Sequence, residues 1–185
     1  IGAEAGEITQ GGSSIALGVR SGYSNQSTNS VAIGREAGKT SQSSDAVSIG
    51  NYLNSGNSGG GQLNQGQHSV SIGTNSGSTD QSNNSIAIGR DSGQKFQGGY
   101  SVAIGDNAGK YYQGDYSIGI GQNCGKGDGN NSGNQQGIKS VAIGFNVGTT
   151  NQGNSCIGIG KQAAENNQGN NAIALGLYAG QFSQG

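Results

Sequence analysis

The residues with catalytic or ligating potential are few, and their spacing argues against an active site. His68 is the single histidine of the 185-residue chain, so a histidine-based triad or histidine-rich metal site would depend on it alone. It lies in a stretch of Gly, Gln, Asn and Ser, where an imidazole is expected to be a solvated loop side chain. Glu36 and Asp91 directly follow Arg35 and Arg90 and read as solvated surface charges, not paired catalytic carboxylates. Cys124 and Cys156 fall in different columns of the repeat described below, and read as two small, semi-buried side chains rather than a disulfide. The calcium-binding pattern Gly-Gly-x-Gly-x-Asp recurs at no regular interval, and no helical periodicity supports a dinucleotide-binding glycine loop. The expectation is therefore no catalytic residue, no metal site, no cofactor and no enzyme activity.

Two other sets of side chains could bind or stack. Phe96, Tyr100, Tyr111, Tyr112 and Tyr116 are five of only ten aromatics. Tyr100 and Tyr116 lie one repeat apart, as do Phe96 and Tyr112. Exposed rings offer flat amphipathic surfaces to a sugar or a protein, so these five are candidate ligand-binding residues. The competing reading is cross-strand stacking that stiffens the fold. The second set is a glutamine recurring at one repeat position: Gln10, Gln26, Gln42, Gln65, Gln81, Gln97, Gln113, Gln136, Gln152, Gln168 and Gln184. Stacked glutamines can hydrogen-bond amide to amide along an axis, which makes this column a structural ladder, the alternative being a ligand-binding row of amides.

The element that positions these residues is the repeat itself. An apolar-small-apolar-Gly tetrad opens at Ile15, Val31, Val47, Val70, Ile86, Val102, Ile118, Val141, Ile157 and Ile173. Most steps are 16 residues; those beginning at Val47 and Ile118 are 23. Numbering each coil from its first apolar residue, position 3 is Ile or Leu, position 4 Gly, position 7 mostly small, position 8 nearly always Gly and position 12 Gln. Alternation across positions 16 to 3, as in Ser101-Val102-Ala103-Ile104, is the period-2 signature of a strand with one buried face. Gly at position 4 permits a turn. A second short strand is expected around positions 5 to 9 with position 7 pointing inward, and the Asn/Gly/Ser-rich segment at positions 12 to 15 closes the coil. This predicts an all-β, parallel β-solenoid (a β-roll) of about eleven 16-residue coils forming one unit over 1–185, with surface loops near 51–65 and 122–136 in two 23-residue coils.

Composition excludes several classes. Only 30% of residues are hydrophobic, with 39 Gly and no Pro, Met or Trp, which rules out one large globular core. A net charge of -1 and strict placement of the apolar residues separate the chain from a disordered tail. Scattered Lys and Arg give no nucleic-acid surface, and no apolar run is long enough to insert in a membrane. Both ends fall inside a coil and there is no initiator Met, as expected of a segment of a longer protein.

With so little to bury in one chain, a second source of burial is expected. Position 2 is always small: Ala16, Ala32, Ser48, Ser71, Ala87, Ala103, Gly119, Ala142, Gly158 and Ala174. Read as facing away from the roll's own core, this stripe is the expected oligomer interface, with a homotrimer as partner.

Ser30-Val31-Ala32-Ile33-Gly34, recurring with Ala37-Gly38 and a following Ser or Asn, resembles the head repeats of YadA-like trimeric autotransporter adhesins. It is also similar to the Ala-Ile-Gly repeats of phage and algal-virus surface fibres. The resemblance implies trimers of left-handed parallel β-rolls at an extracellular location, on a bacterial or virion surface, attaching to a host glycan, protein or matrix. The adhesin heads usually repeat at a shorter interval, and the 16-residue coil with its fixed Gln points towards a viral or phage fibre. Two alternatives stand beside adhesion: a passive spacer or sheath, and an ice-binding solenoid.

Overall fold

The computed structural model describes residues 1–51, 63–129 and 135–184. Within them the chain is all-β and winds into a solenoid of parallel strands about 16 residues apart. The apolar tetrads form ten strands of one parallel sheet, from Ile15–Leu17 to Ile173–Leu175. Pairing is in register, with Val102 opposite Ile118, Ala103 opposite Gly119 and Ile104 opposite Ile120. At about 4.8 Å per level the ten strands span roughly 45 Å.

The second strand is not where the sequence pattern placed it. It occupies positions 10–12 and ends on the glutamine, as in Ser24–Gln26, Lys95–Gln97 and Tyr111–Gln113. These strands form a seven-stranded and a three-stranded sheet, and Gln136 bridges them through Gln113 and Gln152. Positions 5–9 turn instead, with position 6 left-handed in coil after coil, as at Arg20, Glu36, Asp91 and Asn107. Positions 11 and 15 are left-handed too, which explains their Asn, Asp and Ser: short polar side chains tolerate that conformation best. Position 7 does point inward, as expected: Ser21, Ser92, Ala108, Cys124 and Val147 are buried.

Glycine at position 4 is demanded by stacking. Gly105 has φ +131, and a Cβ there would lie 2.5 Å from the carbonyl oxygen of Gly121 in the next coil. Any side chain would separate the coils at that level.

The face that lies inside is the opposite of the one expected from the sequence. Position 2 does not face away from the core: Ala32, Ser48, Ser71, Ala87, Ala103 and Ala142 are fully buried within their own chain, and Ala16 and Ala174 nearly so. Gly119 and Gly158 are buried as well. The branched aliphatics of positions 1 and 3 point outward instead, with Ile15 52% and Leu175 61% exposed. A period-2 pattern shows that two faces differ without showing which one is covered, and a one-residue reversal exchanges them. The lumen between two three-residue strands is narrow. It is filled by small residues at positions 2, 7 and 16 and by the glutamine side chain, and among the described residues Val147 is the one branched aliphatic buried in it. Where position 7 is largest, position 2 of the next coil is smallest: a Cβ on Gly158 would lie 2.7 Å from Val147 Cγ1.

Candidate functional site

The outward face of the ten-stranded sheet is an aliphatic ladder two side chains wide. Every one of its twenty members, from Ile15 and Leu17 to Ile173 and Leu175, is Val, Ile or Leu. No charged side chain interrupts positions 1 and 3. A contiguous apolar strip of this kind marks an interaction surface rather than a solvated one. The small-residue stripe Ala16, Ala32, Ser48, Ser71, Ala87, Ala103, Gly119, Ala142, Gly158 and Ala174 cannot be that surface, being inside the roll. Gly158, one coil after Val147, is the sequence signal that could have revealed this.

The glutamine column runs through the lumen. Each buried side chain donates from Nε2 across the roll to the position 1 carbonyl, as Gln97 does to Ile86 O at 2.8 Å and Gln113 to Val102 O at 2.9 Å. It also links coils: Gln81 to Gln97 at 3.2 Å, Gln97 to Gln113 at 3.3 Å and Gln113 to Gln136 at 3.1 Å. The Nε2 donors are therefore consumed by structure, and burial of the inner glutamines leaves no row of amides open to a ligand. The coupling extends to position 8, where Gly93 has φ +50 and a Cβ would sit 2.6 Å from Gln97 Oε1. Where Ala164 replaces that glycine, the cross-roll bond from Gln168 to Ile157 O stretches to 3.3 Å.

Four of the five aromatics come together. Phe96 and Tyr112 stack at 4.8 Å with planes 11° apart, and Tyr100 and Tyr116 at 5.2 Å and 3°. Tyr111 stands apart, under Lys110 and Lys95 at 5.4 and 5.9 Å. The four stacked rings all occupy left-handed positions, with φ between +52 and +57. That conformation costs a non-glycine residue roughly 1–2 kcal/mol. Each stack returns about 0.5–1.5 kcal/mol beyond area burial. Two stacks return about 1–3 kcal/mol against about 4–8 kcal/mol for four left-handed residues, so stiffening alone does not account for rings where most other coils carry Asn, Asp or Ser.

The charged residues are less free than their sequence context implied. Asp91 is buried, ion-paired with Lys110 at 3.2 Å and hydrogen-bonded by Asn75 and Gln94. Glu36 lies 3.7 Å from Lys39 and 3.9 Å from Arg20. The coil spacing brings charges 16 or 19 residues apart into contact, as in Arg20 with Glu4 and Lys110 with Asp91, which adjacency along the chain cannot show. His68 is an exposed side chain 3.8 Å from Asp45. Cys124 and Cys156 are free and fully buried, and burial pushes the Cys124 thiol up. Cys156 substitutes for a serine: its Sγ meets Gly169 O at 2.8 Å, as Ser140 Oγ meets Gly153 O at 2.7 Å. Among the described residues no group of three or more His, Cys, Asp or Glu could hold a metal ion, and no helix is long and apolar enough to cross a membrane.

The molecule is thus a parallel β-solenoid with a filled lumen and one aliphatic outer face. Residues 65–92, which span the strands opening at Val70 and Ile86, match the family model of the YadA head domain repeat in two copies. The chain carries YadA-like head repeats. No curated protein and no solved structure matches it.

Proposed function

We propose that this chain is a structural and adhesive fibre segment, displayed on a virion or bacterial surface, that attaches to a host or matrix. It assembles as a homotrimer, three copies burying their aliphatic ladders against one another. The observation that carries the reading is that ladder: ten coils of Val, Ile and Leu turned outward from a lumen that already has its own filling. The YadA-like repeat at 65–92 supports the same reading, since heads of that kind are surface structures. A passive spacer would need the lumen and the ladder but not the strained aromatic stacks, and these favour adhesion. The test is retention of beads coated with the chain on immobilised glycans, collagen, fibronectin and laminin. Saturable retention on at least one surface is expected, and retention no better than albumin-coated beads on all of them would leave only the spacer.

A further inference from the structure

We propose that the two aromatic stacks frame a cleft for an uncharged oligosaccharide, an inference that rests on the adhesive reading and names its ligand class. The Phe96–Tyr112 stack stands on the second strand, and the Tyr100–Tyr116 stack on the turn that follows it. Between them the chain runs as Gly98-Gly99 in one coil and Gly114-Asp115 in the next. Two hollows of about 370 and 290 Å³ open there, sharing Ser82 and Asp115, with Phe96 on the wall of one and Tyr100 and Tyr116 on the wall of the other.

The floor is bare where the fold does not require it. Gly98 and Gly114 are forced, since a Cβ on either would lie 2.6 and 2.8 Å from the backbone of the next coil. Gly99 is not: its φ is ordinary, and a Cβ would meet nothing closer than Asn83 O at 3.6 Å. The same position holds Thr28, Ser44, Gln67 and Asn83 in other coils. A glycine at 99 keeps side-chain volume out of the space between the rings.

The charged groups around that space are hydrogen-bond acceptors, standing beside the neutral Ser82, Asn83 and Asn84. Asp115 Oδ1 accepts from Gly99 N at 2.8 Å, and Asp80 Oδ1 accepts from Asn64 Nδ2 at 2.7 Å. The second oxygen of each carboxylate has no donor among the described residues. The edges and uncovered outer faces of the stacked rings, for the C–H surface of a pyranose, beside carboxylates for its hydroxyl donors, form a sugar-binding arrangement. Both charged groups that line the hollows are acidic, so sialylated, sulfated or uronic glycans are disfavoured. No enclosed apolar pocket is present to anchor a peptide side chain among these residues.

The probe is an array of uncharged di- to hexasaccharides of glucose, galactose, mannose and N-acetylglucosamine. It is read with the full chain beside sialyllactose, heparin and an octa-arginine peptide. Saturable binding to at least one uncharged glycan is expected, with sialyllactose and heparin silent. Gly99→Gln copies a side chain tolerated at this position elsewhere. It should weaken binding at least tenfold while circular dichroism, melting midpoint and mass stay those of the parent. Replacing Phe96, Tyr100, Tyr112 and Tyr116 by Ser should abolish binding. Silence of every uncharged glycan, binding unchanged by Gly99→Gln, or capture of heparin or octa-arginine in their place overturns the proposal. Beads that still adhere to matrix protein in any of those cases would leave the adhesive reading standing without the sugar.

Discussion

Replacing Gln97 by Leu keeps the side-chain volume and removes every hydrogen bond of one rung. Gln97 donates to Ile86 O at 2.8 Å and to Gln113 Oε1 at 3.3 Å, and accepts from Gln81 Nε2 at 3.2 Å. Gln81 keeps a second acceptor, Val70 O at 2.9 Å, so its loss is small. Ile86 O keeps its ladder partner in the strand of Val102 but loses its lumenal donor, a bond worth about 0.5–1.5 kcal/mol. Each broken amide–amide rung adds about 0.5–1.5 kcal/mol. The expected destabilisation is about 1.5–4.5 kcal/mol for the three bonds, measured from guanidinium unfolding followed by circular dichroism. Gln10→Leu is the control, because Gln10 is exposed and bonds only Ser14 O at 3.1 Å, and should change stability by less than about 1 kcal/mol. Hydrogen exchange adds a second readout, since a solenoid couples mainly nearest neighbours. Amides of the coils beside residue 97 should lose protection before those near residue 26. If the two Leu variants were equally stable, the lumenal amides would not be stabilising and the reasoning would fail.

Two further outcomes follow from the same packing. Ala103→Leu forces three extra carbons into a lumen where the Ala103 Cβ is already 3.1 Å from the place a Cβ on Gly109 would take. It should destabilise by about 2 kcal/mol or more in thermal or denaturant unfolding, whereas an outward-facing position 2 would accept Leu with little change. Cys124 should resist thiol reagents in the folded protein, its thiol raised by burial and its Sγ held 3.2 Å from Gly144 O. Labelling as fast in native buffer as in denaturant would contradict that burial.

The fold class was legible in the sequence because the repeat is strict. An anchor every 16 residues fixes parallel in-register stacking, and Gly at position 4 reports a contact between coils. The position of the second strand was not, because Ser24-Asn25-Gln26 and its equivalents carry no apolar alternation. They are strands by virtue of their place over one another, with a left-handed residue in the middle of each. The inversion of the two faces was hidden for a different reason. Hydrophobicity says that Val102 and Ile104 seek cover, but not whether their own chain or another supplies it. Lumen width decides, and its trace was Gly158, set against Val147 of the preceding coil. The aromatic pairs were legible as stacks from their one-coil spacing. Gly99 was not, since a glycine the backbone does not need looks the same as one it does.

Sedimentation equilibrium of the chain bears on the outward aliphatic ladder and the assembly built on it. The account expects a species of three times the 18.3 kDa chain mass. It should fall apart when Val102 and Ile104 are replaced by Lys, while Ala103→Ser in the lumen leaves the mass unchanged. A folded monomer at every concentration, with Val102 and Ile104 open to water, would contradict it.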